Sequence, residues 1–289
     1  MIKILSNKKV KNLFPFILIL LLISSLHKQA NADNDLILAV HPYLPTEELN
    51  KKFTPLANYL SNQTGIKINV KVGSSYDEHI QYIGQDKVDI AYMGPASYVN
   101  MTNQFGSKPL LARLEIKGKP WFQGNIITRN DSNINTLEDL KGKHIAFGDP
   151  NSTMSYILPR HMLTKADVFT DPLTKYQFLY SHNNVALGVL SGDFDAGAVK
   201  PEVFRKFEAK GLRTVALTPE ISEHLFITRS NLPAKDIDKL RHAMLNIKSS
   251  DEGMTALTTI KKSITGLVKT SDDDYENLRK IIIESQEFK

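Results

Sequence analysis

The chain has 289 residues and no cysteine, with 36 Lys+Arg against 31 Asp+Glu and 42% hydrophobic residues. This composition is ordinary for a globular protein, and it excludes a disulfide scaffold and any cysteine-based zinc or redox site. Five of the lysines and none of the acids lie in residues 1–32, so the rest of the chain has 31 basic and 31 acidic residues. A neutral body argues against a nucleic-acid-binding protein, because such proteins neutralise phosphates with clustered Lys and Arg.

Residues 1–32 have the features of a secretory signal peptide. A lysine-bearing start leads to the apolar run Leu13–Ile23 and then to Ala30-Asn31-Ala32, a small-x-small cleavage site. The apolar run is 11 residues long, whereas spanning a bilayer takes roughly 20. We therefore expect cleavage near Ala32 and export across the membrane; the alternative is an uncleaved N-terminal anchor.

From Leu36 onward, short apolar β-rich runs alternate with longer helical stretches. The predicted strands are Leu36–Val40, Lys67–Val72, Val88–Met93, Leu110–Ile116, Asn125–Arg129, His144–Gly148, Tyr176–Ser181, Ala196–Val199, Thr214–Leu217 and His224–Arg229. The predicted helices are 46–63, 77–84, 96–103, 153–165, 183–191, 201–210, 234–247 and 272–287. This alternation is typical of βαβ units and predicts an α/β protein with mainly parallel sheets.

The last predicted helix begins beside an acidic run, Asp272–Asp274. Ser271 followed three residues later by Asp274 is a capping-box pattern, and acids in a first helical turn meet the positive end of the helix dipole. The run therefore needs no metal ion, and we expect no calcium site there.

Four turns that follow predicted strands have a common composition. Each places Gly, hydroxyl or amide residues at a helix start, and none contains Lys or Arg; they are 73–76, 94–97, 148–153 and 181–184. Ligands of open α/β sheets bind beyond the carboxyl ends of the strands, and helix N-termini favour anions. The turns thus predict an anion pocket built from uncharged donors, although Ser, Thr and Asn are also simply good helix caps.

Catalytic motifs are absent from the sequence. There is no GxSxG elbow around Ser152, no phosphate-binding GxxxxGK[ST] loop and no histidine spacing suited to a metal. Ser152, His182 and Asp195 could form a hydrolase triad, but nothing in the sequence supports that geometry. We therefore expect no enzyme activity, no cofactor and no metal.

Four stretches resemble a known family. Residues 136–153, which end in Asp149-Pro150-Asn151-Ser152-Thr153, look like the core motif of periplasmic phosphonate-binding proteins, the receptors of phosphate, phosphite and phosphonate ABC importers. The similarity includes 89–98 and Ser181-His182, and it ends at 271–275. It therefore spans essentially the whole of the chain after the predicted signal peptide.

The resemblance implies a type II periplasmic binding protein fold, with two α/β lobes joined by a two-crossover hinge. The crossings would lie near Trp121–Arg129 and near His224–Arg229. Lobe one would combine residues 33–123 with 225–270, lobe two would be 124–224, and 271–289 would form a C-terminal helix.

The resemblance also implies a set of ligand-binding residues. Ser152 and Thr153 resemble the ligands of the phosphonate oxygens, His182 resembles the family histidine at the oxyanion, and Tyr76 resembles a tyrosine from lobe one. Glu202 lies where receptors for aminoalkylphosphonates place an acid for the ammonium, but it could equally be a surface acid. The full predicted set is Ser152, Thr153, Ser155, His182, Tyr76, Tyr92, Ser97, Asp149, Tyr43 and Glu202.

Two positions depart from the family pattern. Met154 stands where the motif has another donor, and Phe122 stands where an aromatic hydroxyl is expected. Tyr43 could form the floor of the pocket or merely pack, and we expect His41 to be a turn residue rather than a ligand.

The function implied is capture of a small phosphorus oxyanion by clamshell closure, for delivery by a monomeric receptor to an ABC permease in the inner membrane. The alternative is a periplasmic sensor that signals to a membrane receptor kinase. Asp149 or another buried acid would accept the P–OH proton, so sulfate should be rejected, and protonation of His182 should strengthen binding at low pH.

Overall fold

The computed structural model describes residues 35–287, in which two separate β-sheets are each covered by helices. The predicted signal peptide and its cleavage site at Ala32 lie outside the described residues. Within the described part of the chain, no helix combines the length and the apolarity needed to cross a bilayer.

The first sheet has six strands in the order β13-β4-β12-β3-β1-β2. Strands β1, β2 and β3 are parallel to one another, whereas β12 and β13 pair antiparallel with their neighbours. The strands are β1 Leu36–Val40, β2 Ile68–Val72, β3 Ile90–Met93, β4 Leu110–Ile116, β12 Leu225–Thr228 and β13 Ile264–Val268.

The second sheet has five strands in the order β10-β6-β9-β7-β8. Strands β7, β8 and β9 are parallel, and β6 runs antiparallel between β9 and β10. The strands are β6 Asn125–Arg129, β7 His144–Phe147, β8 Lys175–Phe178, β9 Ala196–Val199 and β10 Leu212–Leu217.

The chain passes between the two sheets twice, so two α/β lobes are joined by a two-crossover hinge. Within the crossovers, β5 (Trp121–Phe122) pairs antiparallel with β11 (Ile221–Ser222). The Gly124 amide also donates a hydrogen bond to the Thr218 hydroxyl oxygen at 2.7 Å. The second crossing therefore lies at 218–224 and not at His224–Arg229, most of which is β12 inside the first sheet.

Nine α-helices cover the sheets in the described part of the chain. They are α1 Thr46–Thr64, α2 Tyr76–Gly84, α3 Pro95–Phe105, α4 Leu158–Lys165, α5 His182–Ser191, α6 Pro201–Glu208, α7 Ala234–Leu245, α8 Asp251–Ile260 and α9 Glu276–Glu287. A π-helical turn, Thr153–Ile157, leads directly into α4.

The start of the C-terminal helix is as predicted. Ser271 and Asp274 form the capping box, and a 3₁₀ turn, Asp272–Tyr275, precedes α9. Asp272 accepts hydrogen bonds from Tyr98 at 2.7 Å and from Arg279 at 2.8 Å. Arg279 thus pairs with Asp272, and Arg113 lies 3.0 Å from Asp274.

Candidate ligand-binding site

A small cavity of about 20 Å³ lies where the carboxyl ends of strands from both sheets meet. That volume is about the room one water molecule needs, so the two lobes are closed on each other. The residues around the cavity follow β1, β2, β3, β7, β8 and β9 or belong to the crossovers, and they are His41, Tyr43, Tyr76, Gly94, Phe122, Asn151, Ser152, Thr153, Met154, His182, Lys200 and His224.

Ser152 is placed by the π-helical turn that follows β7. Its Oγ accepts a hydrogen bond from the Ser155 amide at 3.3 Å, which caps the turn, and lies 3.4 Å from His182 Nε2. Because the Ser155 amide occupies its acceptor side, the Ser152 hydroxyl can donate its proton, either to a ligand in the cavity or to Tyr76, with which it is also in hydrogen-bond contact.

Thr153 joins the two lobes at the same point. Its Oγ1 accepts a hydrogen bond from the Ala96 amide, at the start of α3, at 2.9 Å. The Thr153 hydroxyl is therefore also oriented as a donor, and it comes from the second lobe while its partner comes from the first.

The tautomer of His182 follows from its partners. The Lys200 amide lies 3.2 Å from Nδ1; since an amide can only donate, Nδ1 accepts and Nε2 has the proton. Burial, together with the Lys200 charge, lowers the pKa of His182 to about 3. His182 is thus a neutral donor at Nε2, and the expectation that its protonation assists binding at low pH is wrong.

His41 of the first lobe and His224 at the end of the second crossing present the opposite polarity. His41 Nδ1 lies 3.1 Å from the Tyr92 carbonyl oxygen, and His224 Nδ1 lies 3.0 Å from a Glu223 carboxylate oxygen. Both Nδ1 atoms must donate, so in a neutral ring each Nε2 has a lone pair. Both Nε2 atoms converge on Gly94, where an added Cβ would lie 3.7 Å from His224 Nε2 and 4.0 Å from His41 Nε2.

Burial keeps His41, Tyr76 and Tyr43 uncharged. Burial, and then the neighbouring His224, holds the pKa of His41 well below its usual range. Burial likewise raises the pKa of Tyr76 and of Tyr43 well above the usual range. Hydroxyls and imidazoles, rather than charges, therefore form most of the cavity wall.

A larger chamber of about 270 Å³ shares Tyr43, Phe122, Lys200 and His224 with the small cavity. Lys200 Nζ lies 3.8 Å from the Tyr43 ring centroid and 3.0 Å from Glu202. The other Glu202 oxygen lies 3.2 Å from Lys261. Although burial disfavours its charge, these two lysines hold the pKa of Glu202 well below its usual range.

The structure brings most of the predicted residues to these two cavities. Ser152, Thr153, His182, Tyr76 and Tyr43 line the small cavity, whereas Tyr92 and Glu202 line the chamber together with Tyr43.

The other three predicted residues lie beside the cavities rather than in their walls. Ser155 donates to the Ala198 carbonyl and accepts from the Gly148 amide, so it holds the turn against β7 and β9. Ser97 is buried in the first turn of α3. Asp149 accepts from the Asn151 amide at 2.8 Å, and no acid lines the small cavity.

Sequence reasoning missed several residues of the walls. Lys200 corrects the expectation that the pocket has no lysine; its signal was its position directly after β9, at the start of α6. His41 lines the cavity although we expected a turn residue. Met154 packs on the hinge, where a Cβ on Gly124 would come within 3.0 Å of its sulfur.

Buried neutral histidines make stability depend on pH. The pKa of His79, which does not line the cavity, is lowered by burial from 6.5 to about 4. The unfolded chain therefore binds a proton near pH 6.5 that the folded protein does not, so the free energy of unfolding falls as the pH falls from 6.5 toward 4. At about 1.4 kcal/mol per pH unit, His79 contributes about 2 kcal/mol of this loss by pH 5.

His79→Gln should reduce the pH dependence of stability. The Gln amide can keep the donor to the Tyr92 carbonyl that His79 Nε2 supplies at 3.1 Å. Chemical denaturation gives the unfolding free energy at pH 7 and at pH 5. The difference between these two values should be about 2 kcal/mol smaller in His79→Gln than in wild type. The matched control is His242→Gln, because His242 is exposed; equal pH profiles for H79Q and wild type would contradict the prediction.

Comparisons with known proteins agree with this geometry. Residues 38–275 match the family model described as "ABC transporter, phosphonate, periplasmic substrate-binding protein". The chain is 30% identical to the phosphate-import protein PhnD of Mycolicibacterium smegmatis, over 84% of each chain. It is 25% identical to the phosphonates-binding periplasmic protein of Escherichia coli, over 73% of this chain and 65% of that protein.

A solved structure confirms the predicted fold. PhnD1 from Prochlorococcus marinus, in complex with methylphosphonate, superposes with a TM-score of 0.78 at 21% identity, over 87% of this chain and 98% of that one. The predicted type II periplasmic binding protein fold is thus confirmed. Together with the family match over residues 38–275, it shows that the chain belongs to the phosphonate-binding family of periplasmic substrate-binding proteins of ABC transporters.

Proposed function

We propose that the small cavity binds a monoprotonated phosphorus oxyanion, such as phosphite, phosphate or a phosphonate, and that closure of the lobes captures it for an ABC permease. The observation that carries the proposal is the convergence on one cavity of neutral donors from one lobe with imidazole acceptors from the other lobe and from the second crossing. The relatives named for phosphate and phosphonates support the choice of ligand.

The donors are the hydroxyls of Ser152 and Thr153 and Nε2 of His182. Each hydroxyl oxygen already accepts a hydrogen bond from a backbone amide, so its proton can be donated to the ligand. Nδ1 of His182 likewise accepts from the Lys200 amide, which leaves the proton on Nε2. Hydrogen bonds to a charged acceptor contribute roughly 1.5–3 kcal/mol each. Neutral donors can therefore hold the phosphorus oxygens without a dedicated arginine.

His41 is the proposed acceptor for the P–OH proton. It replaces Asp149, which does not line the cavity. Its Nε2 has no hydrogen-bond partner among the described residues, and burial keeps the ring from acquiring a proton of its own. A ligand that brings its own proton matches this lone pair, whereas sulfate would place an unprotonated oxygen against it.

Catalysis forms no part of the proposal. Ser152 lies beside His182, but the proton on His182 Nε2 prevents that nitrogen from accepting the serine proton. Asp195 bonds to the His144 amide and not to His182. A Ser–His–Asp hydrolase is thus disfavoured at this cavity.

Bonds between the lobes would stabilise the closed form. Besides Thr153 with Ala96, Asn151 donates to Asp77 at 2.6 Å. We assign residues 33–123 with 225–270 to one rigid lobe and 124–224 to the other, in a receptor that acts as a monomer. A ligand favours closure only through its higher affinity for the closed protein, so the oxyanion must contact both lobes.

Titration calorimetry tests the proposal. Phosphite, phosphate and methylphosphonate should include at least one ligand that binds at least tenfold more tightly than sulfate and methanesulfonate. The sulfur oxyanions are matched controls because they have similar shape but no proton at neutral pH. Equal affinity for sulfate, or no binding of any phosphorus oxyanion, would contradict the proposed function.

A further inference from the structure

The chamber beside the small cavity is much larger than a simple oxyanion needs. Its volume is about 270 Å³ against about 20 Å³ for the small cavity, and the two share four residues. Phosphite, phosphate or methylphosphonate is larger than one water molecule, so it would occupy the small cavity together with the adjoining edge of the chamber and leave most of the chamber to water. The chamber can therefore receive an organic group attached to the phosphorus.

The lining of the chamber has an apolar part and an excess of positive charge. Leu44, Leu114, Val203 and Ile260 supply apolar wall. Five lysines face three glutamates, and they are Lys52, Lys200, Lys206, Lys261 and Lys262 against Glu48, Glu202 and Glu223. The formal excess of two positive charges favours an anionic occupant.

Two of the three glutamates of the chamber are already paired with lysines. Glu202 is bound by two lysines, at 3.0 and 3.2 Å, and Glu48 lies 3.8 Å from Lys52. Among the residues that the structure describes, no carboxylate lies within ion-pair distance of Lys206 or Lys262. The predicted role of Glu202, binding of a ligand ammonium, would require one or both of its ion pairs to break.

The positive charge continues outward from the chamber. An adjoining surface groove shares Glu48, Lys52, Lys261 and Lys262 with it and adds Lys51. A ligand that entered or extended along this path would pass lysines throughout, and their field would attract a second negative charge.

Building on the proposed function, we infer that the preferred ligand is a phosphorus oxyanion joined through a short hydrocarbon spacer to a second anionic group, such as a carboxylate. The phosphorus end occupies the small cavity, the spacer lies on the apolar wall, and the chamber lysines bind the second anion. Lys200, which lines both cavities, lies at the junction.

Since Glu202 is already paired with two lysines, Glu223 is the carboxylate that a ligand ammonium would have to contact in the chamber. Its side chain is buried, Oε2 is bonded to His224, and Oε1 has no partner among the described residues. This oxygen can accept a ligand hydroxyl or water, but a cation there would share the chamber with five lysines. A comparison of an anionic with a cationic ligand therefore separates the two chemistries.

The test is titration calorimetry with three phosphonates of similar length: 3-phosphonopropionate, propylphosphonate and 3-aminopropylphosphonate. The carboxylate compound should bind at least tenfold more tightly than propylphosphonate, and the amino compound should bind most weakly. The double variant Lys206→Gln/Lys262→Gln should reduce the carboxylate advantage at least fivefold. The control Lys210→Gln/Lys269→Gln should leave it unchanged, since neither residue lines the chamber.

Tighter binding of 3-aminopropylphosphonate, or equal binding of all three compounds, would overturn the inference. Phosphite, phosphate and methylphosphonate, measured in parallel, report on the small cavity alone. If one of them binds while the carboxylate gives no advantage, only the inference fails. If none of the phosphorus compounds binds, the proposed function fails as well.

Discussion

Replacement of Ser152 and Thr153 by alanine together should lower the affinity for phosphorus oxyanions at least about a hundredfold. The two hydroxyls are buried and oriented as donors toward the same cavity. Each lost hydrogen bond to a charged oxygen costs roughly 1.5–3 kcal/mol, and a factor of ten in affinity corresponds to about 1.4 kcal/mol. Titration calorimetry with the ligand that binds the wild type most tightly measures the loss.

Thr228→Ala is the matched control for this double variant. Thr228 is a buried residue at the far end of β12 from His224, and its hydroxyl has no hydrogen-bond partner among the described residues. Its loss should leave the affinity within about twofold of wild type, because it lines neither cavity. Wild-type affinity in the Ser152/Thr153 double variant would mean that the ligand binds elsewhere.

His41→Phe should weaken phosphite and phosphate binding about 10- to 100-fold. Phenylalanine preserves a flat ring next to Tyr92 and His224, which lie 5.4 and 5.6 Å from the His41 centroid, but it removes the Nε2 lone pair. The buried P–OH would then lack an acceptor, which costs about 1–3 kcal/mol. Gln, whose amide oxygen can take the position of Nε2, should restore part of the affinity.

The same variant should change the dependence of binding on pH. In wild type, affinity should fall as the pH rises and the ligand loses its last proton, because His41 stays neutral and cannot supply one. The titratable and charged groups around His41 are His224, His79, Lys200, Tyr43, Tyr76 and Tyr92. These groups remain in His41→Phe. A weaker dependence of ligand affinity on pH in this variant would therefore report on His41 itself.

Sulfate and methanesulfonate provide the control ligands for His41. Neither has a proton to donate, so their weak binding should not fall further in His41→Phe. A parallel loss for phosphorus and sulfur ligands, with an unchanged pH profile, would show that His41 only supports the packing of the wall.

Much of the secondary structure was predictable because strongly apolar runs alternate with amphipathic helices. Four of the ten predicted strands have the observed bounds, and they are Leu36–Val40, Leu110–Ile116, Asn125–Arg129 and Ala196–Val199. The helix Asp251–Ile260 and the strand Ile264–Val268 were missed. Each of these elements contains a glycine, a residue that weakens the local signal for a helix or a strand. The glycines are needed for packing: a Cβ on Gly253 would lie within 2.8 Å of Ile247, and a Cβ on Gly266 would clash with the Lys248 side chain.

The binding residues show a sharper limit of sequence reasoning. Ser152, Thr153 and Ser155 share one motif, yet two hydroxyls reach the cavity and the third bonds to Ala198 behind it. The direction of each side chain depends on the π-helical turn and on the neighbouring strand. Local composition cannot specify either, because both depend on contacts with residues distant in the chain.

Hydrophobic periodicity and helix capping are local properties, so the order of residues is enough to specify that strands and helices alternate and that hydroxyl and amide residues collect where strands end. Which of these ends face one another depends on the packing of the whole chain. His41, Lys200 and His224 come together only because the chain crosses twice between two sheets. The polarity of each imidazole was likewise decided in space, since it depends on whether the Nδ1 atom meets a backbone amide, a carbonyl or a carboxylate.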